Sequence, residues 1–207
     1  MELQPFDEGE LKGEGDYEGL LFADLDLAGQ DGRDARFLDC ALRRCGLDET
    51  RLTGARFIDT ELEEMRGIGT DLVGAVLRDV TLIDARLGGV QMHGSVMERV
   101  VVRGGKIDYL NLRAATLKDV VFEGCVLVEA DFAGAQMERV VFRDCTVRQV
   151  DFSNARMKGV DLREVVELDI ARGVDRLAGA VISPTQLLEL APAFAAQIGV
   201  RVAGPGD

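Results

Sequence analysis

The side chains best equipped for chemistry are few, and their spacing does not suit it. His93 is the single histidine; with no Cys or His at ligand spacing beside it, it reads as a solvent-facing imidazole rather than a zinc ligand or catalytic base. Cys40, Cys45, Cys125 and Cys145 fall at multiples of five, which matches neither a metal-binding pattern nor a secreted disulfide framework. Gly88-Gly89 and Gly104-Gly105 could imitate phosphate-binding loops, but neither is followed by a Lys-Ser or Lys-Thr pair opening a helix. There is no paired buried carboxylate and no Ser-His-Asp set. No catalytic, cofactor-binding or metal-ligating residue is therefore assigned, and the chain is expected not to be an enzyme. The candidates that remain are for recognition: Tyr109 in RGGKIDYLNLR (103–113), and the acidic cluster Glu61, Glu63 and Glu64. An aromatic side chain on a flat rigid surface is a reasonable binding anchor, although the plainer reading of 103–113 is a bulged corner.

The elements that must position these residues are written in steps of five. TDLVG, AVLRD, VTLID and ARLGG run from Thr70 to Gly89, and AQMER, VVFRD, CTVRQ and VDFSN from Ala135 to Asn154. Taking the central residue of each pentad as position i, 27 of the 29 central positions from Phe22 to Leu162 are large and apolar; only Gly32 and Gly67 depart. Position i−2 is Ala, Cys, Ser, Thr, Val or Gly at 24 of 29 places, so small and large side chains alternate toward a narrow interior. Position i+2 is Gly, Asp or Asn at 19 of 29, the residues that tolerate positive φ. A period of five fits neither a 3.6-residue helix nor a continuous strand, so the chain must turn at every pentad. Positions 35, 55, 75, 95, 115, 135 and 155 are all Ala except for Ser95, while 80, 100, 120, 140 and 160 are all Val. That 20-residue recurrence predicts four pentads per coil, about seven coils, and a shaft roughly 34 Å long at ~4.8 Å per coil. Tyr109 then occupies a corner, and the four cysteines point inward.

Three segments follow: an acidic lead-in (1–19), the repeat array (20–182) and a tail (183–207). The formal charge of −13 is concentrated in residues 1–34, where 11 acids face Lys12 and Arg33; residues 35–165 hold 21 acids against 19 bases. This balance argues against a phosphate-binding surface. No run of about 20 apolar residues could span a bilayer, and the first residues lack a secretion pattern, so a cytoplasmic location is expected. In the tail, Ser183 and Pro184 read as a helix start and Gly199 as a stop. Pro192 is expected to kink or split this helix. Leu187, Leu188, Ala191, Phe194, Ala195 and Ile198 form one apolar face, with Val200 and Val202 returning as a strand.

The repeats resemble the pentapeptide-repeat family, whose consensus is A(D/N)LxX, over about residues 20 to 165; ADFAG (130–134), VDFSN (150–154) and TDLVG (70–74) carry the likeness most clearly. The resemblance implies an all-β fold, a right-handed quadrilateral parallel β-helix with a short C-terminal helical segment. A similar helix and apolar tail end some bacterial members that protect DNA gyrase, where the tail mediates dimerisation. Leu187, Leu188, Phe194 and Ile198 are thus candidates for capping or homodimerisation. The expected function is a non-catalytic scaffold for an unknown protein partner, with no cofactor, no membrane and no direct nucleic-acid binding. The alternative is a DNA mimic that binds or protects DNA gyrase. Against it, a shaft imitating B-DNA over this length would need on the order of 20 negative charges, whereas the four faces sum to −4, −1, −2 and +2.

Overall fold

A computed structural model of the chain describes residues 3–7 and 9–204. The chain winds into a parallel β-solenoid of about nine turns, closed at one end by a single α-helix. Each strand is usually three residues long and pairs in parallel with the strand 20 residues later, as in Thr81↔Val101, Val101↔Val121 and Val121↔Val141. The faces are a ten-stranded sheet, an eight-stranded sheet, a six-stranded sheet and a fourth column of single bridges from Asp31↔Arg51 to Asp131↔Asp151. Within one coil the order is Val96–Glu98, Val101–Arg103, Lys106–Asp108 and then the bridge at Asn111.

The corners follow from backbone conformation more than from residue type. Every fifth residue from Asp24 to Gly159 lies at positive φ, and the non-glycines among them cluster between 49° and 57°. Arg44, Glu64, Tyr109 and Ala114 adopt this left-handed corner as Asp and Gly do. The Cβ of a non-glycine disfavours it by about 1–2 kcal/mol, but inter-coil hydrogen bonds on both sides fix it, such as Arg44 N to Glu63 O at 2.9 Å.

The i and i−2 columns fill the interior. Phe22, Leu112, Leu117, Phe132, Phe152 and Leu162 are fully buried, as are Ala35, Ala55 and Val120 from the small column. Burial of an apolar side chain is worth ~1.5–3 kcal/mol each, which makes this column the main source of stability. The threonines and Cys125 of the i−2 column are accommodated by donating to a backbone carbonyl of the preceding coil. Thr50 Oγ1 reaches Leu27 O at 2.8 Å, Thr70 Oγ1 reaches Leu47 O at 2.7 Å, and the Cys125 thiol donates to Val102 O at 3.2 Å.

The count of seven coils is too low because the solenoid extends beyond the regular register at both ends. Gln4–Pro5 pairs with Leu20–Leu21, and Asp16–Glu18 pairs with Arg36–Leu38. Phe6 stacks on Phe22 at 4.3 Å between ring centroids, and Tyr17 on Phe37 at 5.0 Å. Leu11 covers the hole left by Gly32: a Cβ on that glycine would lie 3.4 Å from Leu11 and 3.1 Å from Leu52. At the other end the pairing slips by one residue, from Val141↔Asp161 to Arg143↔Glu164, and returns with Val160↔Ala180.

Helix α1, Pro184–Gln197, lies across the last coil. Ser183 and Gln186 form a reciprocal capping box, with Gln186 N donating to Ser183 Oγ at 3.2 Å and Ser183 N donating to Gln186 Oε1 at 2.8 Å. Gln186 Nε2 then donates to Leu162 O at 2.7 Å and to Val165 O at 3.4 Å, so one buried amide ties the helix to the open strand ends. Pro192 sits inside one unbroken helix rather than splitting it, and Val200 and Val202 form no strand. The side chains against the solenoid are Gln186 and Leu190. The face expected to cap is turned away: Leu187, Leu188 and Ile198 are exposed, the last two by 75% and 78%, and Phe194 is half-buried.

Candidate interaction surface

The acidic cluster is less acidic in space than in sequence. Glu61 and Glu63 lie on the strand Glu61–Glu63, directly beside Ala41–Arg43 of the preceding coil. Arg43 reaches both, at 2.9 Å to Glu61 and 3.2 Å to Glu63. Glu64 is the corner residue, at φ 52°, and faces away from that pair into a cleft with Arg66, Asp84, Arg86 and Gly105.

Tyr109 is also a corner residue, at φ 56°, and is 58% exposed. The two corners before it in the same column are Gly69 and Gly89, so the ring stands beside a stretch without side chains. The preceding segment is not bulged. Gly104 and Gly105 both take positive φ, while pairing stays in step through Arg103↔Glu123 and Lys106↔Val126. Glycine is required at 105, because a Cβ there would lie 2.2 Å from Ala85 O. Tyr109 and the acidic strand occupy different faces, and only Glu64 stands at the corner next to the face of Tyr109.

That face, made by Arg66–Ile68, Arg86–Gly88 and Lys106–Asp108, carries three bases in register: Arg66, Arg86 and Lys106. Lys106 pairs with Asp108 at 2.7 Å; among the described residues, neither Arg66 nor Arg86 forms an ion pair. Elsewhere signs alternate along the axis over long runs, as in Arg78, Glu98, Lys118, Glu138 and Lys158, with single like-charge steps at Arg36↔Arg56 and Asp131↔Asp151. Three Asp–Arg clamps each join corner residues 20 apart in sequence: Asp24–Arg44 and Asp79–Arg99 at 2.6 Å, and Asp119–Arg139 at 2.5 Å. The hydrogen-bonded guanidinium holds each of these carboxyls below its ordinary range. Reading along corner columns, rather than along the chain, would have found them.

The remaining chemical candidates resolve simply. His93 is exposed, and among the described residues no cluster of His, Cys, Asp or Glu could hold a metal ion. All four cysteines are free and buried; burial pushes the Cys40 and Cys45 thiols up, and the neighbouring Cys145 thiol together with burial does so for Cys125. Among the described residues no helix is long and apolar enough to cross a membrane. Inside the tube lies a wholly apolar void of about 70 Å³, lined by Leu62, Leu82, Leu87, Val102 and Ile107 among others. It falls where the sequence has no phenylalanine, between Phe57 and Phe122. Stacked rings fill the coils on either side, with Phe37–Phe57 at 4.7 Å and Phe122–Phe142 at 4.8 Å.

Two sequence-family models match the chain: a pentapeptide repeat region over residues 106–171, and pentapeptide repeats (8 copies) over residues 68–99. No curated protein matches it. Among solved structures, it is similar to QnrB1, described as a plasmid-mediated fluoroquinolone resistance protein, at 14% identity and a TM-score of 0.43, covering 91% of this chain and 100% of that one. It is also similar to HetL, a pentapeptide repeat protein involved in heterocyst differentiation regulation from the cyanobacterium Nostoc sp. strain PCC 7120, at 18% identity and a TM-score of 0.30, covering 84% of this chain and 92% of that one.

Proposed function

Because the chain belongs to the pentapeptide-repeat family, we propose that it is a rigid, non-catalytic scaffold that presents the flat faces of its β-helix to a protein partner. The observation that carries this reading is the stacking of short strands over about nine turns around an apolar interior. Such a body keeps surface side chains at fixed spacing, which suits recognition. Partner binding would involve Tyr109 and the acids Glu61, Glu63 and Glu64. The exposed row Leu187, Leu188, Phe194 and Ile198 on α1 would bury itself in a homodimer across a two-fold axis. We place the protein in the cytoplasm, a reading supported by its free, buried thiols.

The DNA-mimic reading is the less favoured one. Glu61 and Glu63 share Arg43, and the corner aspartates are clamped by arginines, so charges that could have formed a phosphate-like track are compensated within the solenoid. The test is affinity capture on the full-length protein from its host, with gyrase subunits probed in parallel, and a supercoiling assay with and without a quinolone. Capture of a protein partner with no effect on supercoiling at micromolar concentration is the expected result. Inhibition or rescue that disappears in Glu61→Gln, Glu63→Gln, Glu64→Gln would replace the scaffold reading with the mimic.

A further inference from the structure

The face bearing Arg66, Arg86 and Lys106 departs from the charge pattern of the rest of the solenoid. Like charges directly opposite one another on adjacent strands are destabilising; Arg103 meets Glu123 one coil away at 2.7 Å, and where Arg36 faces Arg56 the run of bases is only two long and Arg36 is paired with Asp16 at 2.9 Å. Here three bases follow one another, Arg86 pairing across the ladder with both Arg66 and Lys106. Asp108 compensates Lys106, whereas Asp48, at the other end of the face, accepts from the backbone N–H of Ile68 at 2.8 Å. The two guanidiniums between them have no carboxylate partner among the described residues. Adjacent strands lie about 4.8 Å apart, so one carboxylate placed between Arg66 and Arg86 would bridge both.

Beside this ladder the surface is built to admit a chain. Arg66 and Arg86 border an open groove of about 750 Å³ whose floor is the backbone at Gly67 and Gly88. Ile68, 72% exposed, leans along it, its Cγ1 3.9 Å from where a Cβ on Gly88 would be. Gly69 and Gly89 leave the corner bare up to the exposed ring of Tyr109. Basic, apolar and aromatic groups therefore share one face, with Asp108, paired to Lys106, as the carboxylate beside Tyr109.

We propose that this face is the docking surface for an acidic segment of a protein partner, whose carboxylates pair with Arg66 and Arg86 while an apolar side chain lies over Gly88 between Ile68 and Tyr109. The proposal rests on the scaffold reading and names the chemistry of its partner. A nucleic-acid strand is the poorer fit. Asp48 and Asp108 bound the face at its two ends, Glu64 and Asp84 flank Arg66 and Arg86 in the adjoining cleft, and the chain carries −13 overall. A continuous phosphate track would meet those carboxylates, whereas a short peptide with one or two acids need not.

The experiment is selection of 12-residue peptides from a random phage-displayed library on the full-length protein, followed by fluorescence anisotropy of the enriched peptides and of a 20-base-pair DNA duplex. Enriched peptides are expected to combine Asp or Glu with a large apolar residue. Their affinity should fall at least ten-fold in Arg66→Gln, Arg86→Gln and several-fold in Tyr109→Ala, and be unchanged in Arg78→Gln, a base on the eight-stranded sheet. Circular dichroism confirms that each variant folds. Peptides that are not acidic, peptides that bind the double variant undiminished, or an Arg66-dependent affinity for the duplex exceeding that for the peptides would each overturn the assignment. Binders that map to another face would do so while leaving the scaffold reading standing; failure to select any binder, with no protein captured from the host, would remove both.

Discussion

The apolar void makes a sharp test of how the interior is packed. Val102 lines it and sits between Leu82 and Phe122 in the same column, so Val102→Ile extends one methylene into empty space without altering strand preference. Burying a methylene contributes about 0.8 kcal/mol. The whole void of about 70 Å³, at roughly 24 cal/mol per Å³, sets an upper limit near 1.7 kcal/mol. The matched control is Val140→Ile, in the i−2 column, where the side chain is fully buried and no void adjoins it; overpacking there should cost about 1–3 kcal/mol. Urea unfolding followed by far-ultraviolet circular dichroism compares the midpoints at equal slope. The variants should separate by about 2–4 kcal/mol, with Val102→Ile above the parent and Val140→Ile below it. If both lose stability equally, the middle coils are as tightly packed as the rest and the reasoning fails.

Four further outcomes follow from the same geometry. Ser95 is buried and its Oγ has no hydrogen-bond partner, unlike Thr50 and Thr70 in equivalent sites, so Ser95→Ala should raise stability by about 1 kcal/mol in the same assay. Gln186→Ala leaves Val165 O without its side-chain donor and Leu162 O with Val165 N alone, and should cost about 1–3 kcal/mol, and deletion of residues 183–207 should produce larger species in light scattering. Phe132→Asp buries an unpaired charge among three rings and should abolish the β signal in circular dichroism. Asp24, Asp79 and Asp119 have folded-state pKa values below the ordinary 3.8. Their contribution is therefore complete above that value and is lost as pH falls through the lower folded values. The melting temperature should show this acid limb below about pH 4, and the limb should flatten when Arg44, Arg99 and Arg139 are each changed to Met.

Much of the fold was legible because the pentad ties residue type to position. Phe132 and Leu112 had to be inside, and Ala135 had to stack under Ala155, since a narrow tube offers no other arrangement. The ends were harder. Tyr17 keeps the five-residue register and pairs with Phe37, but Phe6 and Leu11 complete the first coil through an irregular path in which Gln4 pairs with Leu20, and no five-residue spacing marks it. Helix α1 was found from its cap and stop, but its buried face was misread: apolar spacing favoured Leu187 and Leu188, while the strand ends needed a hydrogen-bond donor, which Gln186 supplies. On the surface, Glu61 and Glu63 looked like an acidic site because Arg43 is distant in sequence and adjacent in space. Arg66, Arg86 and Lys106 were passed over for the same reason, since each is unremarked until read along the axis.

The 20-residue coil also constrains how such a chain can change length. Insertion or loss of a whole coil would shift everything beyond it along the axis by about 4.8 Å and leave each residue on its own face. An insertion of five residues would instead turn the downstream solenoid by a quarter, carrying Lys106 away from Arg86 and bringing Val101 in its place. A single extra residue would invert the inward and outward positions altogether. Bulges can absorb such a step: the chain carries one-residue shifts after Asp161 and on either side of Ile170, keeps Leu168 beside Val147, and is back in phase by Ala180, before α1 begins. Gene duplications in this array should therefore be tolerated in multiples of four pentads wherever a face must stay intact, and a length change out of that step marks a place where the faces were free to be reassigned.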